Sequence, residues 1–306
     1  MEQSQQKKRW GVEQRLEFIE FVSYWEGEIN RFHITEHFGI SAQQASSDLT
    51  AYQQIAPKNL RYDLSSKRYV ATAEFECKLI KPDADRYLGQ LTALTTHAIE
   101  IENTWLYSAP VADVIPIPAR RVEPTILFGI LKAIRSKKSI EIEYQSLNTA
   151  TPNAVWRRIT PHAFASDGFR WHIRAYCHRD DRFKDFLLSR CSGTREESEP
   201  RQTAEADKQW SNYFAVELAP NPRLSTSQKR AIELDYAMKD GHVLLSVRYA
   251  LLYYFDKRLR SDLAPQRATN SKGDPRETPV IVANQAAYEE ALATVGVQLR
   301  LTTSKN

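Results

Sequence analysis

Residues 39–52 have the sequence GISAQQASSDLTAY, and this stretch decides how the first part of the chain is interpreted. Gly39 can adopt a positive φ and end a helix, and Ser41 has the side chain of a helix N-cap. Apolar side chains recur after it at helical spacing, at Ala45, Leu49 and Tyr52. The stretch therefore predicts a turn followed by a helix over 42–55 with one apolar face.

Regular elements are predicted on both sides of this helix. Residues 11–25 and 29–38 have helical apolar spacing, and short strands are predicted at 60–63 and 68–71 with a polar turn between them. Three helices, a glycine-containing turn before the third, and a β-hairpin follow the element order of a winged helix-turn-helix. A generic small helical domain with a hairpin is the alternative.

The outward face of the predicted third helix is polar and uncharged, whereas the hairpin region is basic. Gln can pair with adenine, and Ser or Thr can bond base edges or phosphates. We expect DNA contacts from the third helix and its cap, at Ser41, Gln43, Gln44, Ser46, Ser47 and Thr50. We expect phosphate or minor-groove contacts from the hairpin region, at Lys58, Arg61, Lys67 and Arg68. A solvated helix face and a solvated hairpin are the alternative interpretations.

Length and composition limit the class of protein. The 306 residues suit two or three domains, and the 42% hydrophobic and 26% charged fractions are ordinary for a globular protein. No stretch approaches the roughly 18 apolar residues that a membrane helix needs, and the N-terminus lacks a secretory signal. A cytoplasmic protein with no membrane partner is therefore predicted. The three cysteines are widely spaced, so no disulfide framework is expected.

A helical connector is predicted to lead from the hairpin to a second domain. That domain begins with an amphipathic helix at 124–137. Short strands follow it, at 139–144, 156–159, 169–177 and 186–190. One helix and several short strands in about 70 residues predict a small, strongly bent sheet or barrel.

The C-terminal part of the chain has the pattern of a small α+β domain. Helices are predicted at 225–239, 250–263 and 285–294. Strands are predicted at 242–249 and 279–283, and a polar loop at 266–278. Its apolar helices are expected to supply dimer contacts, although an ordinary core is an equal explanation of the same pattern.

The predicted strand 169–177, FRWHIRAYC, alternates between two faces. Trp171, Ile173, Ala175 and Cys177 would form a core face, with Arg170, His172, Arg174 and Tyr176 opposite. The segment 132–195 has 13 Lys/Arg against 6 Asp/Glu, and such a surface suits an anionic ligand. The alternative is a solvated polar face that pairs with Asp180, Asp181 and Asp185.

The order of these motifs resembles the WYL domain, a small Sm-like β-barrel. The segments that carry the resemblance are Ser139–Tyr144, Arg157–Pro161, Gly168–Ile173 and Ser189–Arg190. The family's Trp-Tyr-Leu triplet is Trp171-His172-Ile173 here, so two of its three letters differ. The resemblance implies a binding pocket for an unidentified anionic or nucleotide-like effector, formed by Tyr144, Arg158, His172, Arg174 and Arg190.

The three-part layout is similar to that of bacterial WYL regulators of the BrxR/CapW type. The resemblance implies a homodimeric repressor that binds an inverted repeat in double-stranded DNA, at a phage-defence operon and at its own promoter. It also implies that a ligand in the WYL pocket modulates DNA binding. The α+β multidomain fold would comprise a winged helix-turn-helix over 1–77, a connector over 78–123, a WYL domain over 124–200 and a dimerisation domain over 201–306.

An enzyme and a single-stranded nucleic-acid binder are the alternatives to a regulator. The His and Cys residues lack zinc-site spacing, and the chain has no Walker loop and no GxSxG motif. We therefore expect no metal site, no cofactor and no enzymatic activity. The remaining alternative is a single-stranded nucleic-acid binder in which the barrel holds DNA or RNA. Such a protein would prefer oligonucleotides over a palindromic duplex.

Overall fold

The computed structural model describes residues 2–118, 120–147, 152–259 and 274–300. The chain forms two compact units, Met1–Ile117 and Pro118–Asn306. Among the described residues, no helix has both the length and the apolar character needed to cross a bilayer.

The first unit contains the predicted three helices and a small sheet. The helices are α1 (Glu2–Glu26), α2 (Arg31–Phe38) and α3 (Ala42–Ile55). The strands are β1 (Glu28–Ile29), β2 (Leu60–Asp63) and β3 (Arg68–Ala71), in the antiparallel order β1-β3-β2. A further helix, α4 (Ala84–Thr95), follows the sheet. The element order is that of a winged helix-turn-helix, as predicted.

The turn before α3 has the predicted capping chemistry. Gly39 has a φ of 62°, in the left-handed region, and ends α2. The Ser41 hydroxyl accepts a hydrogen bond of 3.2 Å from the Gln44 amide and caps α3. The predicted start of the second helix at Ile29 is wrong, because Ile29 pairs with Tyr69 in the sheet and Asn30 caps α2.

The segment after the hairpin packs on the core of the first unit. Leu106 belongs to the same buried cluster as Ile19 of α1 and Leu49 of α3. The Glu26 carboxylate of α1 accepts hydrogen bonds from the backbone amides of Tyr107, at 2.7 Å, and Ser108, at 3.0 Å. Part of the predicted connector therefore lies on the winged helix core. The division of the chain at residues 77, 123 and 200 stays a prediction.

His33 is a buried titratable group in this core. The residue is 4% exposed, and its ring stacks on that of Tyr107 with the ring centroids 3.6 Å apart. Burial, together with the charge of Arg68, lowers the pKa of His33 to about 4, against a smaller opposing effect of Glu28. Because the folded pKa lies below the unfolded value of 6.5, this site stabilises the fold above pH 6.5. That stability is lost as the pH falls towards 4.

We expect the first unit to lose about 1–2 kcal/mol of its free energy of unfolding through His33 between pH 7.5 and pH 5. The His33→Phe variant should lose less over that range, since it keeps a ring against Tyr107 and has nothing to protonate. Nδ1 of His33 has no hydrogen-bond partner among the described residues, so the change to phenylalanine removes no hydrogen bond at that atom. Urea unfolding at both pH values measures the difference. Equal losses in the variant and the wild type would contradict the assignment.

The second unit begins with α5 (Pro124–Ser136) on a five-stranded antiparallel sheet of order β7-β6-β5-β4-β8. Its strands are β4 (Ser139–Tyr144), β5 (Val155–Ser166), β6 (Trp171–Cys177), β7 (Arg182–Leu187) and β8 (Cys191–Ser198). Strand β5 extends well beyond the predicted 156–159. The register shifts between Pro161 and Ala163, and such a bulge accommodates proline within a strand.

Two details of this sheet differ from the prediction. The strand predicted over 186–190 ends at Leu187 and is followed by a 3-10 turn over Leu188–Arg190. The chain then enters β8, which was not predicted and which pairs with β4. The predicted hairpin turn at Asp167-Gly168 is present, with a φ of 86° at Gly168.

The C-terminal part of the second unit is a three-stranded antiparallel sheet with helices. Its elements are α6 (Lys208–Ser211), β9 (Tyr213–Pro220), α7 (Thr226–Asp235), β10 (Val243–Arg248), α8 (Leu252–Leu259), β11 (Val280–Val282) and α9 (Gln285–Arg300). The strand order of this sheet is β10-β9-β11. Strand β9, in the middle, was not predicted, and it contributes the buried Val216 and Leu218. Residues 260–263 of the predicted 250–263 helix lie outside the described residues, as does 266–273 of the predicted loop.

Candidate nucleic-acid interface and central-sheet site

The predicted DNA-contact residues of α3 share one face of that helix. Gln43, Gln44, Ser47 and Thr50 are exposed, as is the cap Ser41, whereas Ser46 is half-buried. The opposite face is buried and holds α3 on the core, through Ala45, Asp48, Leu49 and Tyr52. The structure therefore presents the predicted residues together on one accessible surface of a rigid helix.

The hydroxyl groups of this face have a fixed hydrogen-bonding role. Ser46, Ser47 and Thr50 each donate to the backbone carbonyl four residues earlier, at 2.9 Å, 3.1 Å and 3.0 Å. Since each hydroxyl proton is used, the exposed oxygen of Ser47 or Thr50 is available as an acceptor. In a major groove, such an acceptor suits the amino group of cytosine or adenine.

The four basic residues of the hairpin region fall into two pairs. Lys58 forms an ion pair of 2.8 Å with Glu74, and Arg68 forms one with Glu28. Arg61 and Lys67 are exposed and have no ion-pair partner within the described part of the chain. The hairpin therefore offers two cations whose charge is not already compensated by a neighbouring carboxylate.

Sequence reasoning missed one cation beside α3. Arg31, the first residue of α2, is exposed, and its Nη1 lies 3.5 Å from the Ser46 Oγ. The sequence places no Lys or Arg on α3 itself, so Arg31 adds a positive charge beside the polar face. The crossing of the two helices brings the residues together across 15 positions, and only the helix-turn-helix geometry could have indicated it.

The five residues predicted to form the effector pocket do not meet at one open site. Tyr144 lies on the core face of the sheet, is 8% exposed, and packs edge-on against Phe186. Its hydroxyl accepts a hydrogen bond of 3.2 Å from the Leu187 amide. Arg190 is half-buried, and its side chain has no hydrogen-bond or ion-pair partner among the described residues.

Arg158 lies on the face of β5 that is opposite to Tyr144. It pairs across the sheet with Glu141, whereas its neighbour Arg157 pairs with the buried Ile142. The Arg158 guanidinium forms ion pairs of 3.4 Å with Glu141 and 3.3 Å with Glu196. Its positive charge is therefore already balanced by two carboxylates.

Arg174 is buried beneath the segment that leads into the C-terminal domain. Its Nε and Nη2 atoms donate to the Asp207 carboxylate at 2.7 Å and 3.0 Å, and Nη1 donates to Asp185 at 3.2 Å. Burial raises the pKa of Asp207, but hydrogen bonds from His162 and Arg174 outweigh it and hold that pKa at about 2. The guanidinium thus binds carboxylates of its own chain.

His172 is enclosed in the same way. It is 3% exposed, its Nε2 lies 3.2 Å from Asp167 Oδ2, and its ring lies 4.5 Å from that of Tyr254. Asp167 also accepts bonds from the Phe169 and Arg170 amides, and these bonds outweigh burial and hold its pKa at about 2. His172 therefore contacts the hairpin turn and Tyr254, and Arg174 contacts Asp207 of the C-terminal part.

The predicted division of β6 into a core face and a solvent face is only partly right. Ile173, Ala175 and Cys177 are fully buried, as expected. Trp171, expected in the core, is 58% exposed, and Arg174 on the expected polar face is buried. Arg174 is buried because β6 is covered on both faces, by α5 on one side and by C-terminal residues on the other. Trp171 is the first residue of β6, at the end next to the hairpin turn.

A cavity of about 410 Å³ opens between α5 and β8. Its lining residues are Thr125, Phe128, Gly129, Lys132, Ile140, Thr194, Arg195, Glu196 and Glu197. None of the five predicted pocket residues is among them. Lys132 and Glu197 on its rim form an ion pair of 2.7 Å, so its charges are partly balanced.

Three family models match the chain in the order of its domains. The BrxR transcriptional regulator winged helix-turn-helix domain matches residues 11–93, the WYL domain matches 125–195, and the BrxR C-terminal dimerization domain matches 213–288. A winged helix that presents an open polar helix face, followed by a WYL domain and a dimerisation domain, defines a WYL-domain transcriptional regulator.

Curated relatives identify the group within that class. The chain belongs to the family of the DNA-binding transcriptional repressors named CapW. It is 38% identical over 254 residues to CapW of Escherichia coli (strain KTE188), a match that covers 83% of this chain and 84% of that protein. It is 40% identical over 265 residues to CapW of Pseudomonas aeruginosa, covering 86% and 88%.

These matches confirm the predicted family, the α+β multidomain fold and the assignment of the chain to regulators rather than enzymes. They do not address individual positions. The predicted DNA contacts and effector contacts therefore stay predictions, which the geometry refines but does not test.

Proposed function

We propose that this protein is a sequence-specific repressor that binds an inverted repeat in double-stranded DNA as a homodimer, in the cytoplasm. Its targets would be a phage-defence operon and its own promoter. The observation that carries the proposal is the exposed polar face of α3, in the same unit as Arg61 and Lys67 of the hairpin, which are exposed and lack an ion-pair partner among the described residues. The repressor names of its relatives and the C-terminal dimerization domain support it.

The proposed division of labour follows the chemistry of the surface. Gln43, Gln44 and Ser47 would contact base edges in the major groove, and Thr50 and Ser41 would contact the adjacent backbone. Arg31, Arg61 and Lys67 would contact phosphates. Two copies of α3 would occupy successive major grooves, about one helical turn apart or a small multiple of it.

We further propose that an anionic effector bound to the WYL domain modulates DNA binding. An effector that uses Arg174 must compete with Asp207 and Asp185, which already hold its guanidinium. Because Asp207 lies at the start of the C-terminal domain, such competition would alter the seating of that domain on the sheet. The effector changes operator affinity only if it prefers one of the two arrangements. A tenfold effect requires a coupling of about 1.4 kcal/mol.

A gel-shift of the purified full-length protein with the duplex upstream of its own gene tests the proposal. Selective retention of that duplex over scrambled duplex and over single strands is the expected result. Equal binding to all three, or preference for single strands, would replace it with the single-stranded binding alternative.

The same assay tests whether the hairpin cations contact phosphates. Arg61→Ala and Lys67→Ala should weaken binding to operator and scrambled duplex about equally. Each variant loses two phosphate contacts per dimer, so the slope of log affinity against log salt should fall by about 1.8. Lys58→Ala is the matched control, because its ammonium already pairs with Glu74, and it should change the slope less. An unchanged slope in the first two variants would remove the hairpin from the interface.

A further inference from the structure

One residue of α3 is an acid that does not face the solvent. Asp48 is 2% exposed, although it lies on the helix that carries the proposed base contacts. A buried carboxylate requires a cationic or hydrogen-bonding partner, because the loss of hydration is otherwise very unfavourable. The partner is Arg15 of α1, whose Nε lies 2.6 Å from Asp48 Oδ2 and whose Nη2 lies 3.3 Å from Oδ1.

The same carboxylate also binds an exposed residue of the DNA-facing surface. Gln44 Nε2 donates to Asp48 Oδ1 at 3.0 Å, across one turn of α3. The reversed orientation of the Gln44 amide would place its carbonyl oxygen against the carboxylate, which is repulsive. Asp48 therefore fixes which end of the amide is the donor and which is the acceptor.

The fixed orientation leaves a defined pair of groups for a base. One N–H of Gln44 is used by Asp48, and the second N–H and the carbonyl oxygen stay available. A glutamine that both donates to N7 and accepts from N6 selects adenine, whereas a freely rotating amide can also donate to guanine O6. An orientation set before binding also avoids the entropic cost of ordering the side chain on DNA.

We propose that the Arg15–Asp48 pair is a positioning device that sets the amide orientation of Gln44 and so determines the base preference at the position that Gln44 faces. This inference rests on the proposed function, since it requires α3 to contact bases. Arg15 and Asp48 touch no DNA in this mechanism. Their effect is on specificity, and it acts through Gln44.

The test compares binding of the full-length protein to its upstream duplex, to every single-base variant of that duplex and to scrambled duplex. The Arg15→Met/Asp48→Leu double variant removes the orienting carboxylate and replaces the buried pair with apolar side chains, which commonly preserves folding. We expect about a five- to tenfold loss of operator affinity, little change on scrambled duplex, and a broadened base preference at one position per half-site. Asp48→Asn is a second variant, with a smaller broadening expected at the same position.

Gln44→Ala provides the matched comparison. It should broaden the preference at the same position, and adding it to the double variant should cause little further loss. A base preference that stays narrow in the double variant, or additive losses, would overturn the inference while leaving the repressor assignment intact. If the wild type fails to distinguish its upstream duplex from scrambled DNA, the proposed function fails and this inference fails with it.

Discussion

The Arg174→Ala variant is expected to lose about 3–5 kcal/mol of the free energy of unfolding of the second unit. The side chain of Arg174 is 4% exposed, and those of Asp207 and Asp185 are 2% and 9% exposed. Removing the guanidinium leaves two buried carboxylates without their cation. Gln209 also loses its donor, which lies at 3.1 Å in the wild type. Breaking one member of such a buried network is among the most destabilising single changes known in proteins.

Urea unfolding at neutral pH measures this loss. Arg179→Ala is the matched control, because Arg179 lies two residues beyond the end of β6 and is exposed. Its loss of unfolding free energy should stay within about 0.5 kcal/mol. A loss below about 1 kcal/mol for Arg174→Ala would show that water replaces the guanidinium around these carboxylates. Asp207→Asn should be destabilising too, since it removes the charge that His162 and Arg174 share.

The expected instability of Arg174→Ala decides which residue is suitable for testing the effector response. His172 and Arg174 are both buried in the second unit, so alanine at either position is expected to alter its packing and any effector response together. Arg190 is half-buried with no side-chain partner among the described residues, so Arg190→Ala leaves no acid unpaired there. Arg190→Ala is therefore the cleaner variant for the effector response.

The Glu20→Ala variant is expected to lose about 3 kcal/mol or more in the first unit. Glu20 is fully buried, and Oε2 accepts the backbone amides of Leu79 and Ile80, both at 2.7 Å. Oε1 accepts the amide of Lys78 at 2.9 Å and the hydroxyl of Tyr52 at 3.1 Å. One carboxylate therefore joins α1, α3 and the segment after the hairpin, and alanine leaves four donors without an acceptor.

Hydrogen exchange identifies the mechanism of this loss. The backbone amides of 78–80 should exchange faster in Glu20→Ala, because they lose their acceptor. Glu20→Gln should be intermediate, since its amide nitrogen faces two donors and its oxygen keeps the other two. Glu17→Gln is the matched control on the same helix and should be near neutral. Unchanged protection at 78–80 would contradict the assignment.

Local patterns predicted much of the fold. The Gly39 and Ser41 caps, the apolar spacing of α3 and the Asp167-Gly168 turn were each predicted, because capping and turn formation depend on residues within one turn of the chain. Strand β9 was missed although it is the middle strand of its sheet. Its eight residues, YFAVELAP, mix alternation with alanine and proline, and their burial comes from the two strands beside it.

The candidate site, like the fold, was predicted only where it depends on local sequence. The sequence predicted a polar α3 face, and the structure exposes that face. It allowed pairing of Arg174 with the nearby Asp185, which the structure shows, but it did not predict the second carboxylate, Asp207, which lies 33 residues away. Nor did it predict that His172 and Arg174 would be buried, since alternation alone assumes that only one face of a strand is covered.

The sequence by itself determined the order of three domains, the helix caps and the polar side chains of the α3 face. The tertiary structure alone decided which cations are free and which are already paired. Arg61 and Lys67 are exposed without an ion-pair partner among the described residues, whereas Arg15, Arg158 and Arg174 are held by carboxylates. The physical reason is that periodicity reflects burial along one element, whereas pairing a charge depends on which distant element folds against it.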